Sequence, residues 1–132
     1  MSNRSAGGYE TAVEWPSFAP NRAWLLAVLV GGKTLDAVST ITVLHLRDDV
    51  FESVWLTRKL MQEFGMVGGS LVTLLFAVVG VAILAESGLL VERLLPESWV
   101  PKGYPAAFRT TTYLAAGAWY GFLGVHNFLL LF

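Results

Sequence analysis

Long apolar stretches separated by polar and proline-containing segments set the pattern of this chain. Residues 23–46, 66–85 and 110–132 are the three. Each reaches the roughly 20 residues that an α-helix needs to cross the hydrocarbon of a bilayer. The second stretch carries no acidic or basic side chain, and the third holds only His126. The first is interrupted by Lys33 and Asp36, just after Gly31 and Gly32. The pattern predicts an all-α, polytopic membrane protein with three transmembrane helices.

The segments between the stretches have patterns of their own. Val50, Val54 and Met61, with Phe51 and Trp55, fall on one helical stripe, while Arg58, Lys59, Gln62 and Glu63 lie mostly elsewhere. This predicts a short amphipathic helix over about 49–64, lying in the membrane interface or extending the first span. Residues 86–109 contain Pro96, Pro101 and Pro105 with Trp99 and Tyr104. They read as a loop with an interfacial aromatic anchor, and Glu86 to Arg93 as boundary residues. Residues 1–21 are polar, with Gly7, Gly8, Pro16 and Pro20. They predict a disordered tail rather than a cleavable signal, with Trp15 and Phe18 near the headgroups. Residues 22–132 form a single membrane domain in this reading.

Composition sharpens the class. The 132 residues are 55% hydrophobic and 14% charged, against about 25% charged in soluble domains. The formal net charge of −1 offers no basic face, so nucleic acid is excluded as a partner. The absence of cysteine excludes disulfides, thiolate metal sites and cysteine nucleophiles. No cofactor is implied. Arg4, Arg22, Arg93, Lys102 and Arg109 fall on one side of a three-span topology, and Arg47, Arg58 and Lys59 on the other. That bias places the chain in the cell membrane with its N-terminus in the cytoplasm.

Small residues recur where helices must approach closely. Gly65, Gly69, Thr73 and Ala77 repeat every four residues in the second stretch, and Gly117, Gly121 and Gly124 line the third. Close backbone contact drives helix pairing in lipid, so these two faces are expected to meet, within one chain or between copies.

Polar groups inside apolar stretches are the chemical candidates. Lys33, Asp36, Ser39 and Thr40 share a broad helical face, where Lys33 and Asp36 can pair at i,i+3 and Thr40 can donate to Asp36. His126 and Asn127 lie toward the same membrane surface as the end of the first span. The two readings are polar glue between helices and a proton or cation site. A second group, His45, Asp48, Asp49 and Glu52, shares one side if the first helix continues that far. Among these, His45, Asp49 and Glu52 are candidate ligands for a divalent cation.

Asp36-Ala37-Val38-Ser39-Thr40, followed by Glu52 and a glycine-started second span, resembles a family of small prokaryotic, largely haloarchaeal membrane proteins. That family has an Asp-x-x-Ser/Thr-Thr segment in its first helix, a Glu-x-Asn-Pro loop and two further spans. The likeness covers about 25–75, and here Ser53-Val54-Trp55 stands where the Asn-Pro element falls. The resemblance implies the three-span fold and marks Asp36, Thr40 and Glu52. It brings no activity.

There is no supported Ser/His/Asp arrangement, phosphate-binding glycine loop or His-Glu-x-x-His. The expected function is therefore a non-enzymatic membrane component that assembles with itself or with a membrane partner. The alternative is a small oligomeric proton- or cation-coupled transporter using Asp36. A lipid-directed enzyme has least support.

Overall fold

The computed structural model describes residues 20–132. The tail expected over 1–21, with Trp15 and Phe18, lies up to residue 19 outside the described residues. Helix α1 (Arg22–Leu46) starts on Asn21, whose side-chain oxygen accepts a hydrogen bond from the Ala23 N–H at 2.9 Å. That satisfies one of the donors left free at a helix start. It stops where Arg47 turns extended, at φ −131° and ψ 110°.

Helix α2 (Trp55–Leu94) is broken once. Gly65 takes φ 77° and ψ 165°, a region open in practice only to glycine. A short arm precedes the break and a long arm follows it. The short arm folds back, and a Cβ on Gly69 would collide with the backbone of Leu60 and Met61. Helix α3 (Tyr104–Leu129) carries Pro105 in its first turn, where a missing N–H removes no helical hydrogen bond.

Ion pairs at the ends fix the topology. Glu86 of α2 accepts from Arg22 of α1 at 3.4 Å and from Arg109 of α3 at 3.0 Å. At the opposite end Arg47 donates to the Leu130 carbonyl at 2.6 Å. So α1 and α3 run parallel, and the long arm of α2 runs antiparallel to both. The most extensive contact is between α1 and α3.

Within the chain, the two small-residue faces do not meet. Gly117 and Gly124 of α3 pack on α1. A Cβ on Gly117 would lie 2.8 Å from Val28 Cγ1, and one on Gly124 would lie 2.9 Å from the Asp36 nitrogen. From the other side, a Cβ on Gly32 would strike the Gly117 carbonyl. Gly69 is occupied by the short arm of its own helix, and Gly65 is the hinge. Thr73 donates back to the Gly69 carbonyl at 2.9 Å. Parallel glycine-bearing helices, joined through a long connection, approach more closely than the antiparallel neighbours do.

Three boundaries also differ. The second helix continues past 85 to Leu94 because no breaker occurs before Pro96. The third begins at Tyr104 rather than 110, which brings Arg109 into the helix and onto Glu86. The helix expected from about 49 starts only at Trp55. The intervening turn is held by Arg47 on Asp49 and by Glu52, whose Oε1 accepts from the Val54 N–H at 2.8 Å.

Burial is inverted relative to a water-soluble bundle. Lys33 and Asp36 are 8% exposed and Ser39 is fully buried. Phe76 and Ile83 are 66% and 68% exposed, and Leu71, Leu75 and Leu84 also face outward. Helices α1 and α2 are long and apolar enough to cross a membrane. Helix α3 is not among the helices that meet that test. Its threonines 110–112, its glycines, His126 and Asn127 dilute the apolar run.

Candidate functional site

The site is built from α1 outward. One turn of helix separates Lys33 from Asp36, so the two side chains meet on the same face. Lys33 Nζ donates to Asp36 Oδ2 at 2.5 Å. The same ammonium lies 4.5 Å from the centre of the Tyr120 ring on α3, a cation–π placement. Both residues are buried, where an ion pair persists only if each charge keeps its partner.

Asn127 of α3 completes the cluster. Its amide donates to Thr40 Oγ1 at 3.0 Å, to Ser39 Oγ at 3.3 Å and to Asp36 Oδ1 at 3.4 Å. Ser39 in turn donates to the Asp36 backbone carbonyl at 2.9 Å. The expected Thr40-to-Asp36 hydrogen bond is replaced by this arrangement. Thr40 accepts from Asn127, and Asp36 is held by Lys33 and Asn127. One amide thus reads three α1 side chains, which is possible because the glycines of α3 bring its backbone close to α1.

A cavity of about 520 Å³ opens onto this cluster, within the range of small-molecule sites. Helix α1 contributes Lys33, Asp36, Ala37 and Thr40 to its wall, and α3 contributes Tyr120, Leu123, His126 and Asn127. Ser70, Thr73 and Ala77 of the long arm form the facing wall. The turn at Phe51, Glu52 and Ser53, with Thr57 and Met61 of the short arm, forms the roof. The fold of α2 at Gly65 is what brings that roof over the cluster.

Five of the six polar candidates, Lys33, Asp36, Thr40, His126 and Asn127, line the cavity. Ser39 sits behind them, bonded to Asp36. His126 is at the cavity wall but exposed, with its ring 6.2 Å from Phe122 and nearly parallel to it. Glu52 joins the cavity, whereas His45 and Asp49 do not. Thr73 and Ala77, expected to pack against α3, line the cavity instead.

The metal reading of His45, Asp49 and Glu52 does not survive the geometry. Among the described residues no three His, Asp or Glu side chains converge to hold an ion. The helix ends before Asp48, so the shared face is lost. Asp49 turns to Arg47, which donates to it from Nε at 2.9 Å and from Nη2 at 2.5 Å. The hydrogen bond and charge of Arg47 hold the Asp49 carboxyl below its ordinary range. Asp49 likewise raises the Arg47 guanidinium.

Two features had weak sequence signals. Ser70 is the lone serine of the second stretch, is 4% exposed, and its hydroxyl finds no hydrogen-bond partner among the described residues. Glu86, read as a boundary residue, ties all three helices. Arg109 Nε lies 2.9 Å from Glu86 Oε1, although only its Nη2 is aligned as a donor. No family model, curated protein or solved structure matches this chain.

Proposed function

We propose that this chain is an integral membrane protein of three spans that binds a small solute between its helices and carries it across the bilayer. Lys33 and Asp36 are its binding pair. The observation that carries the reading is a buried, fully paired Lys33 and Asp36 at the wall of a cavity of about 520 Å³. Such groups are expensive in hydrocarbon and default to function.

The membrane environment is supported by the inverted burial and by two helices of sufficient length and apolarity. Helix α3 supplies the third span in this reading, because it lies along α1 and turns Tyr113 and Asn127 inward. Lys33 comes eleven positions after Arg22, and Arg47 eleven positions after Asp36. By helical rise the pair therefore lies about 16 Å from each charged end, near the middle of a core about 30 Å thick. The short arm, with Trp55, Leu56 and Phe64 exposed beside Lys59, suits the interface. The charge bias puts the N-terminus in the cytoplasm and the cavity roof on the far side.

Assembly with a second copy or a membrane partner is the second reading. It is favoured by the outward apolar face of the long arm. It loses the support of Gly117 and Gly124, which are engaged by α1 within the chain. The two readings are compatible if a homo-oligomer completes the pathway.

Proteoliposomes offered a uniformly ¹³C-labelled small-molecule cell extract test the carrier reading by mass spectrometry. Solutes enter with the unaltered protein and fail to enter with Asp36→Asn or with the cavity-filling Ala77→Phe. Equal uptake by all three proteins refutes it.

A further inference from the structure

Resting on the cavity reading, we propose that the solute is a small zwitterion, an ammonium and an anionic group close together on one molecule with an apolar side group. The argument is charge balance. Lys33 and Asp36 satisfy each other, and separating them leaves two charges in a low-dielectric site. A simple cation at Asp36 strands the Lys33 ammonium. A simple anion at Lys33 strands the Asp36 carboxylate. A zwitterion strands neither, since its ammonium takes Asp36 while its anionic group takes Lys33.

The surroundings are already arranged for that exchange. The Tyr120 face, now 4.5 Å from the Lys33 ammonium, is a surface for any ammonium beside Asp36. Asn127 holds the other Asp36 oxygen in place at 3.4 Å, so Lys33 moves and Asp36 stays. Ser70 belongs to the facing wall, and its hydroxyl is buried without a partner among the described residues, a costly state. Val43, Leu44, Leu123 and Trp119 complete the lining and suit an aliphatic or aromatic side group. Apolar α-amino acids have this chemistry, and an ethanolamine phosphate headgroup shares its pair of charges.

Equilibrium dialysis of the purified protein in detergent separates the possibilities with four probes. They are L-leucine, isopentylamine (leucine without its carboxylate), 4-methylpentanoate (leucine without its ammonium) and glycerophosphoethanolamine. Leucine is expected to bind at least about tenfold more tightly than either singly charged analogue. Lys33→Met and Asp36→Asn each abolish that preference. Tighter binding of glycerophosphoethanolamine than of leucine keeps the zwitterion and assigns its source to lipid. An analogue with one charge that binds as well as leucine overturns the proposal, as does failure of all four probes. The cavity reading itself falls only if Ala77→Phe also leaves liposome uptake unchanged.

Discussion

At the scale of single residues, Lys33 and Asp36 decide whether polarity inside this bundle serves packing alone. Removing one member of a buried pair leaves the other uncompensated, which costs about 3–5 kcal/mol, whereas replacing both by apolar groups is often neutral or stabilising. Asp36→Asn and Lys33→Met are therefore each expected to lower the thermal unfolding temperature in detergent. The double variant Lys33→Met/Asp36→Leu is expected to recover it and still fail to take up solute. A double variant as unstable as the singles would contradict this balance. The pair was legible in the sequence because an acid and a base three residues apart interrupt a stretch that is otherwise apolar. Its partners were only half legible. Asn127 stands out as an amide in an apolar run, but nothing in the sequence says that it reads Ser39 and Thr40 as well as Asp36. Ser70 gave no signal, since a lone serine beside two glycines is ordinary in a helix.

At the scale of elements, glycines set which helices touch. Gly32, Gly117 and Gly124 each face atoms too close to admit a side chain, while a Cβ on Gly31, Gly80 or Gly121 meets nothing within 4 Å. Gly117→Leu and Gly124→Leu are thus expected to force α1 and α3 apart and to cost several-fold more stability than Gly31→Ala or Gly80→Ala, measured by thermal unfolding in detergent. Comparable losses at all four positions would show that the contact surface is elsewhere. Gly65 acts differently. Its Cβ position is open, but its backbone conformation is not available to alanine without a cost of about 1–3 kcal/mol. Gly65→Ala is expected to straighten α2 and lift the roof from the cavity. The sequence pattern exposed the small residues but not their partners, because a four-residue spacing defines a face and not what lies opposite it. The break at Gly65 lay where the amphipathic stripe met the apolar run. The beginning of the short arm was not legible, because the stripe includes Val50 and Phe51 while Arg47 and Glu52 hold that turn out of the helix.

At the scale of the whole molecule, α1 is flanked by Arg22 and Arg47 and holds a buried ion pair midway, with apolar side chains of the bundle outward. Glu86 clamps one end by gathering Arg22 and Arg109, and Arg47 joins α1 to α3 at the other. The cavity lies between the pair and the Arg47 end, so one side of the membrane has access to it in this account. The three long helices and the polar interruption of the first were readable from hydropathy, whereas the separate interfacial helix proved to be the short arm of α2. The cavity was not, because it depends on the short arm folding back across Gly69, a contact between residues whose order in the chain predicts no such fold. The absence of cysteine makes the arrangement directly measurable with single-cysteine variants in native membranes. A small, membrane-impermeant methanethiosulfonate reagent is expected to label Thr73→Cys and Ala77→Cys from the side opposite the N-terminus, and to leave Leu75→Cys and Ile83→Cys unlabelled from either side. Labelling of Leu75→Cys and Ile83→Cys, or protection of Thr73→Cys and Ala77→Cys from both sides, would contradict a lipid-facing bundle with a water-reachable cavity at Lys33 and Asp36.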